Sequence, residues 1–365
     1  MNLRNILILS VLLIQYEGQF INFVLLPARN IKACKMTMNF LRRSLLFIAM
    51  TLFSQIIAFS QESQSNDYVV FRTDLSTEQR LDGEIVNLTG RDGLTFRPKI
   101  GREIKIPLDR IIDFGTVKET AQVNAEQAFR NGDYRAAIDY YLEARKSEKR
   151  DWVKRQQTSE IVQAYAALGE QERACREFFA LAESDPETLY LAHIPLPWYV
   201  DVSQSLVYQQ LGAMWLDRAD YPACQLLSAG LSLTTANREK AVDALQLLVK
   251  SNNPSIAALA TAQLWRVRIA EATPTEAASW EQQLDAMPDE LRSGPHYLLG
   301  EVFARLDQPD NALTHWLHVP LDTPEMQPLA MRSLQFAIET LDKLDRSAEA
   351  ETLRVVVRGK RARER

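Results

Sequence analysis

Four histidines, three cysteines and 47 acidic residues are the reactive side chains available to this 365-residue chain. His315-x-x-His318 sets two imidazoles nearly one helical turn apart, a spacing that holds a metal when further ligands converge on it. No third ligand is evident from the spacing, and Trp316 falls on the side expected to be buried, so the pair reads as solvated helix histidines. Most carboxylates sit beside Lys or Arg, as Glu143 does with Arg145 and Lys146, the pattern of a solvated helix face. The sequence has no glycine-rich phosphate loop, nucleophile elbow, HExxH or Cys-x-x-Cys motif. The expectation is therefore no catalytic, cofactor or metal site, and no enzyme. Cys175 and Cys224 fall on amphipathic helical patterns, which favours small buried thiols, with their pairing in an oxidising compartment left open.

Charge is unevenly distributed. The net charge is −5, yet residues 1–60 hold six basic residues and a single acid, so the remainder carries −10. An acidic body of that size repels phosphate backbones, which makes nucleic acid an unlikely partner. Within the basic segment, Arg42-Arg43 precede an apolar stretch, Ser44–Ile57, and Ala58-Phe59-Ser60 offers small residues at both recognition positions before Gln61. That is the layout of an export signal cleaved near Ser60, and it implies a periplasmic or secreted protein. A start at Met36 or Met38 would account for the residues that precede it. The weaker alternatives are a retained N-terminal anchor helix and a lipoprotein box at Ile31–Cys34. Membrane association is expected only through an uncleaved N-terminal segment or the basic tail, 358–365.

Two kinds of element follow the leader. Residues 61–117 carry five of the 13 glycines and a series of short runs with period-two alternation: Tyr68–Phe71, Leu81–Thr89, Leu94–Arg97, Glu103–Ile106 and Arg110–Phe114. Arg91-Asp92-Gly93 is a hairpin signal, and Gly83 inside a strand suggests a bend or bulge. Five short strands in this space are similar to an SH3-like or Sm-like barrel, so a small five-stranded β-barrel-like module is expected. Asn87-Leu88-Thr89 fits the glycosylation tripeptide, relevant only in a eukaryotic secretory pathway.

From residue 118 to 357 the period becomes helical. Asn131-Gly132-Asp133 is followed by Ala137-x-x-x-Tyr141, and Tyr165-x-x-x-Gly169 by Ala174-x-x-x-Phe178 with Pro186. A third copy contains Leu211-Gly212, Tyr221 and Cys224. A later one reads Leu299-Gly300-x-x-Phe303, then Ala312-x-x-x-Trp316 with Pro324, and a degenerate last one contains Ala350. The small-residue positions 137, 174, 224, 312 and 350 are 37, 50, 88 and 38 residues apart, and the first and last steps fit a repeat of about 34 residues with short insertions. The wide gap holds three further amphipathic stretches, Arg238–Val249, Ile256–Ala270 and Thr275–Met287. Pro195–Tyr199 forms a proline-rich connector.

This pattern resembles the tetratricopeptide (TPR) repeat. The resemblance implies a mainly α, TPR-like α-solenoid behind the β module, with Gly132, Ala137, Tyr141, Tyr165, Gly169, Ala174, Phe178, Gly300, Phe303, Ala312 and Trp316 as structural repeat positions. It further implies a scaffold binding a protein or peptide on its concave face, with envelope assembly the natural setting in a two-membrane organism. The alternatives are an RNA-binding protein using the barrel and the basic tail, and an enzyme whose site lies in the 195–199 insertion.

Overall fold

The computed structural model describes residues 67–73, 77–199, 206–322 and 327–363. The expected export signal with its cleavage site, and Pro324, lie outside the described residues.

The first layer is a five-stranded antiparallel sheet of β1 (Asp67–Arg72), β2 (Glu78–Thr89), β3 (Gly93–Pro98), β4 (Ile104–Ile106) and β5 (Ile111–Gly115). The strand order is β4-β3-β2-β1-β5. The two edge strands do not pair, so the sheet is open, in contrast to the barrel-like closure expected from strand count. Strand count sets how many ladders can form, whereas closure needs a tilt and stagger that bring the edges together. The long β2 pairs through Glu78–Gly83 with β1 and through Gly83–Thr89 with β3, and its register shifts between Ile85 and Asn87. The irregularity thus falls beside Gly83, where a Cβ would lie 2.1 Å from the Arg97 carbonyl oxygen.

One face of the sheet packs on the helices. Val69, Ile85, Leu88, Leu94, Phe96 and Ile106 bury themselves against Trp152 and Val153. The Trp152 indole N–H donates to the Ile85 carbonyl at 3.1 Å. Arg155 donates to the Leu88 carbonyl and to the Asn87 side chain, both at 2.8 Å. These bonds occupy polar groups that the bulged strand leaves unpaired, so the sheet docks in one orientation.

Thirteen helices follow among the described residues: α1 (Thr120–Arg130), α2 (Tyr134–Ser147), α3 (Asp151–Ala167), α4 (Gln171–Ser184), α5 (Leu206–Ala213), α6 (Pro222–Ser232) and α7 (Arg238–Leu248). They continue with α8 (Pro254–Arg268), α9 (Pro274–Asp285), α10 (Ser293–Arg305), α11 (Pro309–Asp322), α12 (Gln327–Lys343) and α13 (Ser347–Arg363). Local chemistry starts several of them. Asp133 caps α2 through the Ala136 N–H, Asn253 caps α8 ahead of Pro254, and Thr273 with Glu276 forms a capping box on α9. The last helix runs through the basic residues to Arg363, and Arg358 pairs with Glu351, so 358–363 continues α13.

Sequential helices pack on one another, and α4 also meets α6, α6 meets α8, and α10 meets α12. Trp265 of α8 and Trp280 of α9 stack at 5.3 Å, nearly parallel. One apolar core runs from Val162 to Val356. Late and early helices also meet, since α12 contacts α3, and Pro328 lies 3.8 Å from where a Cβ on Gly169 would sit.

Candidate functional site

The sequence-derived repeat positions fall into three separate helix pairs. Gly132 and Gly169 occupy the α1–α2 and α3–α4 turns with φ of +78° and +72°, a left-handed backbone that costs other L-residues about 1–2 kcal/mol. Ala137 and Tyr141 are buried with Ala125 and Ile161, and Tyr165 bridges that cluster to the main core. Ala174 and Phe178 are fully buried on α4. Gly300 of α10 admits the Trp316 ring of α11 so closely that a Cβ would lie 2.3 Å from the indole nitrogen. Phe303, Ala312 and Trp316 are buried in the same pair. These residues set helix spacing, and the fold does not gather them into one site.

The proline-rich connector takes an unexpected course. Leu191, Ile194, Leu196 and Trp198 are all buried in the main core. Leu196 and Pro197 lie against Gly230 of α6, Trp198 lies against Gly294 of α10, and Gln171 at the start of α4 donates to the Pro195 carbonyl at 2.5 Å. The Leu191–His193 turn touches both α3 and the Asp289–Leu291 turn. The segment therefore crosses helices from well-separated parts of the chain. Small residues on α6 and α10 make room for it, since a Cβ at Gly294 would lie 1.9 Å from the Trp198 ring.

An open polar depression of about 430 Å³ lies at the start of α4, lined by Arg135, Glu170, Gln171, Arg173 and Tyr208, and two further concavities flank the helices. One, about 280 Å³, lies among α1, α2 and α3 and is lined by Lys118, Gln122, Glu126, Arg130, Gln156, Gln157 and Glu160, with Phe129 and Tyr141 on its apolar side. Gln157 is buried and donates to Gln122 at 3.1 Å, while its own carbonyl oxygen has no donor. The other, about 190 Å³, lies where the connector ends, against α8 and α10.

The histidines depart from expectation. His315 is buried, not solvated, because α11 is covered on two sides, by α10 and by α12. Its Nδ1 faces the His296 Nδ1 at 2.9 Å, and its Nε2 faces Glu281 Oε1 at 3.2 Å. His318 stacks on His296 at 4.5 Å, and Phe303 stacks on His315 at 5.3 Å. Only one of the two facing Nδ1 atoms can hold a proton, so one ring donates to the other across that contact. Burial first, then the neighbouring His315, His318 and Arg292, push the His296 imidazole down to about 2. Among the described residues no group of three His, Cys, Asp or Glu side chains is arranged to hold a metal ion. Cys175 and Cys224 are free, buried thiols, each pushed up to about 12 by burial, which suppresses thiolate chemistry.

No family model matches the chain, and no curated protein is similar to it. The geometry alone therefore carries the functional reading. It offers buried packing residues, concavities beside the helices and an internally bound non-helical segment. Of these, Trp198 and Tyr199 at the smaller cavity belong to the connector that the sequence singled out, whereas Arg238, Arg266 and Glu301 carried no signal in the sequence.

Proposed function

We propose that this chain is an exported, non-enzymatic scaffold of the TPR type, which holds a protein or peptide partner in extended form against its helices. One observation carries the reading: the helices already bind the non-helical segment Ile194–Tyr199 of their own chain, which turns tightly at Pro195, through small-residue clearances and a side-chain amide to a backbone carbonyl. The concavity among α1, α2 and α3 offers an open counterpart, with side-chain amides to meet a peptide backbone and charges of both signs at its rim. The alternation of glycine turns, alanine crossings and aromatic fillers supports the repeat assignment. The charge layout weighs against RNA: Arg80, Arg91, Arg97 and Lys105 of the sheet region and Arg358 of α13 each have an acidic partner. No helix among the described residues is long and apolar enough to cross a membrane.

The test is site-specific photo-crosslinking in cells, with the probe at Gln156 or Glu160 in the concavity and at exposed Glu239 as control. A defined protein captured only at the first two positions, and lost with Glu160→Arg, supports the scaffold. Capture of RNA instead, or equal capture at Glu239, refutes it. N-terminal sequencing of the purified protein tests export, and an intact N-terminus refutes that part.

A further inference from the structure

The smaller cavity joins features that no packing role requires. Its walls are Trp198 and Tyr199 from the connector, Leu233 and Thr234 after α6, Arg238 of α7, Arg266, Val267 and Ile269 of α8 and its continuation, and Glu301 of α10. Arg266 uses one guanidinium nitrogen, Nη1, to bond the Gly230 carbonyl at 3.0 Å and Gln263 Oε1 at 2.6 Å. Both acceptors are neutral. Among the described residues, neither Arg266 nor Arg238 forms a salt bridge. Glu301, the one acid on the wall, already accepts from the Tyr297 hydroxyl at 2.7 Å, and that hydroxyl in turn accepts from Arg332. Arg332 also lies over the Tyr199 ring at 4.7 Å. Two guanidinium groups, Arg238 and Arg266, thus line a cavity whose single carboxylate is committed elsewhere.

Burial makes this excess charge costly. It pushes the Arg266 guanidinium down to about 10, against the weaker pull of Glu301. The same burial raises the Glu301 carboxyl, while the Tyr297 hydroxyl and the Arg332 and Arg266 guanidinium groups pull it down. A guanidinium with unused N–H groups at a cavity wall binds a carboxylate well, because two parallel N–H···O bonds match its planar fork. Besides the two guanidinium groups, the Glu301 carboxyl and the Thr234 side chain, the lining is an indole, a phenol and three aliphatic side chains, which suits an apolar body and not a hydrated inorganic anion.

We propose that this cavity is a binding site for a carboxylate borne on a small apolar group, with Arg266 holding the carboxylate, Arg238 closing the mouth, and Trp198 and Tyr199 covering the apolar part. The volume of about 190 Å³ admits a small branched or aromatic acid, or the last residue of a peptide with a free C-terminus. Both sources present the same chemistry. The site stands apart from the concavity among α1, α2 and α3, so it does not rest on the scaffold reading.

Titration calorimetry on the full-length protein tests it with benzoate, benzamide, an acetylated tripeptide ending in leucine, and the C-terminal amide of that tripeptide. Saturable binding of an acid, at least about tenfold tighter than its amide, is the expected result. Benzoate alone binding points to a small-molecule source, and the peptide acid alone points to a chain terminus. Arg238→Gln, at an exposed position, should weaken the acid about tenfold without altering the melting temperature. Arg266→Gln should weaken it further. No saturable binding of either acid, amides binding as well as acids, inorganic phosphate binding as tightly as benzoate, or unchanged affinity in Arg238→Gln would each overturn the proposal.

Discussion

Mild acid should unfold this protein through two buried imidazoles, and His296 allows the effect to be isolated. His296 is pushed from its ordinary 6.5 down to about 2, and His193 down to about 4, mainly by burial. The unfolded chain therefore takes up protons near pH 6.5 that the folded chain refuses. Each group contributes its full stabilisation above pH 6.5 and loses it as the pH falls toward its folded value. At pH 5 the unfolded imidazole is almost wholly protonated and the folded His296 almost wholly neutral. The linkage relation then gives a loss of about 2 kcal/mol from His296 between pH 7.5 and 5, and about 2 kcal/mol more from His193. Asp185 and Glu301 work in the opposite sense, because their folded carboxyls are raised by burial and accept protons more readily than in the unfolded chain. His296→Phe keeps an aromatic ring against His318 while removing the titrating group, and leaves His193 and both acids in place. Urea denaturation followed by tryptophan fluorescence at pH 7.5, 6, 5.5 and 5 compares the two proteins. The wild type should lose about 2 kcal/mol more than the variant across that range. Equal pH slopes would refute the assignment of a proton-refusing buried imidazole at position 296.

Three further predictions probe the packing. Gly294→Val would push the Trp198 ring out of its seat and should cost about 1–3 kcal/mol or more, read as a lower melting temperature, with Trp198→Ala masking the effect in the double variant. Trp152→Phe retains the ring in the sheet–helix core but strands the buried Ile85 carbonyl, for a loss of about 1–3 kcal/mol by urea denaturation. Ala174→Trp overpacks a helix crossing at a fully buried position and should cost about 1–3 kcal/mol or more, and an unchanged melting midpoint would count against the repeat register.

Particular residues show where sequence reading succeeds. The capping boundaries at Asn253-Pro254 and Thr273-Pro274 place α8 and α9 within a few residues, because a cap acts on its own first turn. Gly132 and Gly169 mark turns for the same reason: the required backbone conformation is local. His315 shows where it fails. Its helical spacing from His318 is correct, but burial depends on α10 and α12 covering α11 from both sides. Closure of the sheet failed similarly, since strand periodicity carries no information on whether β4 and β5 meet.

The sequence by itself determined the split between a strand-rich segment and a helical remainder, the small residues at helix crossings, and the absence of a recognisable catalytic motif. Those features depend on periodicity and residue size over a few turns. Only the tertiary structure decided that the proline-rich connector lies buried against α6 and α10, that His296, His315 and His318 cluster, and that Trp198, Arg238, Arg266 and Glu301 border one cavity. These residues lie on four different segments, and the charge of a guanidinium becomes significant only once packing removes it from water.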